Sequence, residues 1–210
     1  MSQVLKATEL LPDYPFSHLH HSKSDKQTML YMLDQVKQAI LQHGEDTLEI
    51  LTPAGDNWQY RLIIPQAQRL ISQTAIQVVG FFGLRKPSGD AKMMNDFDKI
   101  LVTELPRHLG ILCYFSMGLL SGNYCNLVLF DDNKVKEGWA KSEAHNFATR
   151  HLAPHYYSFV RIHNAMLKSL EESEGLELNC TKYFSYTPTP WQGIRYYHDP
   201  VSPTQPLITH

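Results

Sequence analysis

The side chains that could do chemistry are concentrated between Asp131 and Asn164. A Trp-x-x-Ser-x-x-His pattern places His145 on a predicted helix, and a following strand carries Arg161 and His163. An imidazole titrates near neutrality and can take a proton from a phenol or a carbon acid. A guanidinium offers a planar fork to two oxygens. These residue types predict a site in which His145 or His163 acts as the base and Arg161 holds a developing oxyanion.

The strand that contains Arg161 has two unlike faces. Val160 and Ile162 point to one side and Arg161 and His163 to the other, because side chains alternate along a strand. With the apolar side against helices, the guanidinium enters the interior, where it needs an anionic partner. The sequence leaves two kinds of partner open. One is a ligand carboxylate, phenolate or haem propionate, and the other is a protein carboxylate such as Glu104 or Asp96, or one from another subunit.

His145 has a similar pair of interpretations. The helix places its ring at the border between the core and a cleft, where it is either a general base or a boundary histidine that hydrogen-bonds a helix or loop carbonyl.

Hydrophobic periodicity predicts the elements that position these groups. Spacing of about 3.6 residues predicts a helix over 26–43, with Ser24 or Asp25 as its N-cap, after an extended arm. A hairpin over 48–62 turns at 53–57. From residue 76 the predicted order is strand, helix, strand, strand, helix, strand and one further strand, over 76–85, 90–105, 111–117, 124–130, the Trp139 helix, 156–166 and 176–186.

This order predicts an α+β fold with a ferredoxin-like split βαβ antiparallel sheet that carries both helices on one face. Three regions follow from it: an arm, helix and β-hairpin extension (1–73), a ferredoxin-like α/β-barrel domain (74–190) and a Pro-rich C-terminal tail (191–210). The other face of the sheet is too apolar to remain in water. A homodimer is therefore expected to cover it.

The Asp-capped helix with Trp139, Ser142 and His145, after a strand, a helix and a hairpin, resembles the dimeric α/β-barrel superfamily. That superfamily includes antibiotic-biosynthesis-type monooxygenases and haem-degrading monooxygenases. The resemblance covers about residues 76–187 and implies a barrel formed between two chains or, with the N-terminal third as a second copy, within one chain. It also implies a cleft for an aromatic or polyketide-like small molecule.

The function that this resemblance implies is that of a cofactor-independent monooxygenase-like enzyme. Beside the catalytic His145, His163 and Arg161, the residues expected to bind substrate are Asn164, Tyr114, Tyr183 and Trp139. The alternatives are a non-catalytic protein that binds a small molecule or haem, and a structural dimer without a ligand.

No cofactor is expected. Haem-binding relatives place an Asn, a Trp and a His around the porphyrin, and Trp139 and His145, six residues apart on one helix, do not match that pattern. The run His18, His20 and His21 is the candidate metal site, but no cluster of Cys, Asp or Glu converges on it in the sequence. A solvated loop is therefore expected there.

Composition excludes several classes of protein. The chain has 210 residues, 43% of them hydrophobic, and a formal net charge of -2, which gives no bulk attraction to nucleic acid or anionic lipid. No apolar run approaches the ~20 residues that span a bilayer, and the N-terminus lacks the pattern of a signal peptide. A cytoplasmic protein is expected.

Overall fold

The computed structural model describes residues 2–44, 47–54, 58–119 and 121–198. Within these ranges nine strands form one mixed sheet: β1 (Gln3–Leu5), β2 (Leu48–Ala54), β3 (Trp58–Ile64), β4 (Ile76–Arg85), β5 (Ile111–Gly118), β6 (Tyr124–Phe130), β7 (Tyr157–Leu167), β8 (Glu177–Ser185) and β9 (Trp191–Tyr196). Their order across the sheet is β1-β9-β8-β7-β4-β6-β5-β3-β2. Neighbours are antiparallel except β1 and β9, which are parallel.

Helices cover both faces of this sheet. They are α1 (Leu19–His43), α2 (Ala67–Ile71), α3 (Ala91–Glu104), α4 (Asn133–Lys141), α5 (Glu143–Phe147) and α6 (Ala153–Tyr156). A π-helical turn, Ala148–Leu152, joins α5 to α6. The long helix α1 packs on one face, and α3 to α6 lie on the other.

The larger core lies between α1 and the sheet. Met29, Leu33, Val36 and Ile40 repeat at helical spacing and are buried against strand residues that include Val78, Phe115 and Leu127. The helix lies very close to β4, since a Cβ at Gly80 would be 2.7 Å from Sδ of Met29. A larger residue at this position would force the Met29 side chain to move where α1 crosses the strand.

The second core anchors α3 and α4 on the opposite face. Trp139 is buried beside Tyr114, Val128 and Phe130. Both helices begin at an aspartate cap: Asp90 accepts from the backbone N of Lys92, and Asp132 accepts from that of Val135, each at 2.8 Å.

The predicted ferredoxin-like dimeric barrel is wrong. The sheet has nine strands in place of a small antiparallel sheet, because the hairpin β2-β3 extends it beside β5 and the strands β8, β9 and β1 extend it beside β7. The N-terminal third is thus neither a separate extension nor a second sheet of a barrel. The face that seemed to need a second subunit is covered by α1 of the same chain, which removes the argument for a homodimer.

Several local predictions also need correction. The helix expected over 26–43 begins at Leu19, so Asp25 lies inside α1 and is not its N-cap. The Trp139 helix ends at Lys141, because Ser142 adopts extended dihedrals (φ -59°, ψ 151°) and caps α5 instead. Part of the predicted tail forms β9. The hairpin turn at 55–57 and residues 199–210 lie outside the described residues.

No helix in the part of the chain that the structure describes is both long and apolar enough to cross a bilayer.

Candidate functional site

The predicted site residues divide between the two faces of the sheet. Those on the side of α1 are Arg161, His163 and Tyr183. Those on the side of α3 to α6 are His145, Asn164, Tyr114 and Trp139. The sheet itself separates the two groups, so they form two sites where the sequence suggested one.

On the α1 side, one buried carboxylate holds both the predicted oxyanion donor and a predicted base. Arg161 donates from Nε and Nη2 to the two oxygens of Asp25, at 2.5 and 3.0 Å. Nε2 of His163 lies 2.8 Å from Oδ2 of the same carboxylate. The anion that Arg161 requires is therefore supplied by α1, and not by Glu104, Asp96 or a ligand.

The hydrogen bonds continue from His163 towards the surface. Its Nδ1 lies 2.8 Å from Oγ1 of Thr181, which lies 2.7 Å from the hydroxyl of Tyr197. Since Asp25 can only accept when ionised, the network assigns the ring proton to Nε2. Nδ1 then accepts from Thr181, and Thr181 accepts from Tyr197.

The charges in this network follow from burial and hydrogen bonding. Burial lowers the pKa of His163 against the opposing effect of Asp25, so the ring is neutral at pH 7. Burial alone would raise the pKa of Asp25, but hydrogen bonds from His163 and Arg161 hold this pKa below its ordinary value. Burial raises the pKa of Tyr197 to about 12, which keeps its hydroxyl protonated.

The order Asp25, His163 and Thr181 has the chemistry of an acid, a base and a hydroxyl nucleophile. His163 and Thr181 are fully buried, however, and both ring nitrogens and the threonine oxygen are already hydrogen-bonded. A substrate cannot reach this hydroxyl in the folded protein. The arrangement is suited to holding α1 on the sheet.

A second buried arginine fixes the N-terminal segment, which the sequence suggested was a loose arm. Arg195 is completely buried and donates to the backbone oxygens of Lys6, Ala7, Glu9 and Ser17. Its Nε lies 3.4 Å from the hydroxyl of Tyr183, a predicted substrate-binding residue.

The sequence analysis missed Asp25, Thr181 and Arg195. One signal was present for Asp25, since it lies four residues before Met29 and thus on the apolar side of α1, where an acid requires a partner.

The opposite face carries a shorter polar chain. Arg61 Nη1 donates to Asp98 Oδ2 at 2.8 Å, and the Tyr114 hydroxyl donates to Oδ1 at 2.7 Å. Asn126 Nδ2 in turn donates to Tyr114 at 3.2 Å, while Nε of Arg61 is buried without a partner among the described residues. Burial, and then Asp98, raise the pKa of Tyr114, so the phenol is neutral.

The middle of this helix-bearing face is incompletely covered, and we refer to this surface as the depression. Asn126, Phe81 and Ile162 are direct neighbours across β6, β4 and β7, and all three are only partly buried. On the α1 side of the same strands, Leu127 and His163 are fully buried. Since α3 packs towards β3 and β5 and α6 towards β7, these three side chains between the helices stay partly exposed.

His145 lies near one end of this face. Its ring centroid is 6.2 Å from that of Trp139, and its Nδ1 is buried without a partner among the described residues. Burial lowers the pKa of His145 more than a hydrogen bond with the Ala140 backbone raises it. The imidazole is therefore neutral at pH 7.

The histidine run lies in the first turn of α1 and not in a loop. The rings of His20 and His21 are 3.9 Å apart. No group of three or more His, Cys, Asp or Glu side chains among the described residues is arranged to hold a metal ion.

Comparisons with known proteins assign the chain to no family. No family model matches it, and no curated protein matches it. A crystal structure of a Shewanella oneidensis protein aligns with a TM-score of 0.40 at 14% identity, over 51% of this chain and 96% of that one. A likeness at this level carries no argument about fold or function, and the resemblance to the barrel monooxygenases stays a prediction.

Replacing Asp25 should destabilise the fold severely. Asp25→Asn removes the counter-charge of the mostly buried Arg161, which we expect to lower the free energy of unfolding by about 3 kcal/mol. Asp34→Asn, on the exposed side of the same helix, is the matched control and should change it by less than ~0.5 kcal/mol. Urea denaturation of both variants measures the difference. Equal stabilities would show that the carboxylate does not hold α1 on the sheet.

The neutral state of His163 predicts a loss of stability in mild acid. Because its pKa is lower in the folded protein, the unfolded chain takes up a proton below about pH 6.5 that the folded chain does not. The free energy of unfolding should then fall with pH, by up to ~1.4 kcal/mol per pH unit, until the folded pKa is reached. Asp25, whose pKa is also lowered, loses its contribution only at more acid pH.

Urea denaturation between pH 7.5 and 5.0 tests this slope. His21 and His145 also have lowered pKa values and add to the slope of the wild type. His163→Gln should therefore reduce, but not abolish, the dependence of the free energy of unfolding on pH. His155→Gln, at an exposed position, should leave this dependence unchanged. A slope identical in wild type and His163→Gln would contradict the neutral assignment.

Proposed function

We propose that this protein binds a planar aromatic small molecule in the depression formed by Asn126, Phe81 and Ile162. The observation that carries the proposal is the unequal burial of the three central strands at this point: their side chains on the α1 side are fully buried, whereas Asn126, Phe81 and Ile162 on the other side are partly exposed. Central strands of a sheet with helices on both faces are ordinarily buried on both sides. Partly exposed Phe and Ile side chains at its centre support a ligand surface.

The chemistry of the depression favours an aromatic ligand with a hydroxyl or carbonyl group. Phe81 and Ile162 offer apolar contact, and Oδ1 of Asn126 accepts no hydrogen bond from the described residues. The amide of Asn126 is held in place by the Tyr114 hydroxyl, which is itself bound to Asp98. A preorganised acceptor beside an apolar floor is suited to a phenol.

Binding of 2-naphthol, followed by its fluorescence, should test this proposal. We expect 2-naphthol to bind and naphthalene to bind at least tenfold more weakly, because only the naphthol donates to Asn126. Asn126→Leu keeps the size of the side chain and removes the acceptor, so it should weaken naphthol binding about tenfold. Gln38→Leu makes the same amide-to-leucine change on the exposed side of α1 and should have no effect.

The outcomes are distinct. Absence of naphthol binding would remove the proposed function. If Asn126→Leu and the wild type bind 2-naphthol equally well, the ligand occupies an apolar site elsewhere and the depression is excluded.

A cofactor-independent oxygenation is the second candidate function, and one observation favours it. His145 is a neutral, partly buried imidazole on the same face as the depression, whereas His163 and Arg161 are both engaged by Asp25. As a base, His145 would remove the acidic proton of an anthrone, and the carbanion would react with O₂ to give the quinone and water.

Oxygen uptake with dithranol, a dihydroxyanthrone, tests this activity. Consumption above the spontaneous rate is expected for wild type and for His151→Gln, at an exposed position, but not for His145→Gln. Wild-type consumption equal to that without protein would exclude the oxygenase and leave the binding proposal.

A further inference from the structure

A serine hydroxyl borders the depression on the side of β5. Ser116 is the direct cross-strand neighbour of Asn126, so the two side chains lie on the same face of the sheet. Ser116 is partly exposed, as are the three residues of the depression. Its Oγ makes no hydrogen bond to any other residue that the structure describes. The partly exposed surface therefore continues by one strand and ends in a hydroxyl group.

This row of partly exposed side chains stops at β5. The neighbour of Ser116 on β3 is Arg61, which is only 8% exposed and donates to Asp98 of α3. The helix thus covers the row at β3. From Ser116 to Ile162 the row crosses β5, β6, β4 and β7, a backbone distance of about 14 Å. It is polar at the end of β5 and β6 and apolar at β4 and β7.

The hydrogen bonds of Tyr114 fix the orientation of the Asn126 amide. Tyr114 donates its only hydroxyl proton to Oδ1 of Asp98, at 2.7 Å. The phenol oxygen can then only accept, so Asn126 presents Nδ2 to it, at 3.2 Å. Oδ1 of Asn126 is left as an acceptor for a ligand. The Ser116 hydroxyl beside it can either donate or accept.

We propose that the ligand is a vicinal diphenol, an aromatic molecule with hydroxyl groups on two adjacent ring carbons. This inference rests on the proposed binding function and names its substrate class. One hydroxyl donates to Oδ1 of Asn126, and the oxygen of the other accepts from Oγ of Ser116. Cross-strand neighbours have Cβ atoms about 5 Å apart, so only groups on adjacent carbons reach both side chains at once. The rings then lie over Phe81 and Ile162.

Three fluorescent probes distinguish this inference from the proposed function itself: 2-naphthol, 2,3-dihydroxynaphthalene and 2,6-dihydroxynaphthalene. The 2,3-diol should bind the wild type about fivefold more tightly than 2-naphthol, because its second hydroxyl gains one hydrogen bond. The 2,6-diol carries its second hydroxyl at the far end of the molecule. It should bind within about twofold of 2-naphthol, because no second hydrogen bond to Ser116 forms.

The ratio of the affinities for the 2,3-diol and 2-naphthol isolates the contribution of Ser116. In Ser116→Ala this ratio should fall from about five to about one. Ser24→Ala makes the same change at an exposed position of α1 and should leave the ratio at about five. A thermal melt confirms that each variant is folded.

The possible results separate the two proposals. If 2-naphthol binds but both diols bind equally well, or if the preference for the 2,3-diol survives in Ser116→Ala, the diphenol inference fails and the binding function stands. If none of the three probes binds, both proposals fail.

Discussion

The rest of the structure depends on the hydrogen bonds that the buried Asp25 carboxylate accepts from Arg161 and His163. Asp25 lies on α1, 136 residues before Arg161 and 138 before His163, and binds both. Arg161 supplies the charge that a buried carboxylate requires, while neutral His163 adds a hydrogen bond and passes the network on to Thr181. Because each partner would be left buried and unpaired without the others, α1 has one position on the sheet. Its apolar residues then seal that face.

Because α1 is fixed in this way, the two faces of the sheet differ in how completely they are covered. The α1 side is filled by aliphatic and sulfur-containing side chains and by the network around Asp25, in which His163 and Arg161 are already hydrogen-bonded. The other side is covered by shorter, separate helices. There Oδ1 of Asn126 accepts no hydrogen bond from the described residues. We therefore expect a ligand to bind on the face that carries α3 to α6, and not on the face that α1 covers.

The predicted site residues lie on two faces of the sheet, which shows what the alternation of side chains along a strand cannot predict. Alternation correctly separates Arg161 and His163 from Val160 and Ile162. It cannot say what covers each side of the sheet. Here α1 covers the polar side and brings its own carboxylate, while on the apolar side Val160 is buried beside Tyr156 of α6 and Ile162 packs against the same cluster and stays partly exposed.

The sequence alone determined the local structure. Helical and strand periodicities located most elements, because these signals arise from neighbours along the chain. The tertiary structure decided the rest: the order of nine strands, the side on which Tyr114 lies and the identity of the anion that binds Arg161. These features depend on contacts between residues far apart in sequence, and a local pattern specifies which face a side chain occupies but not what it meets there.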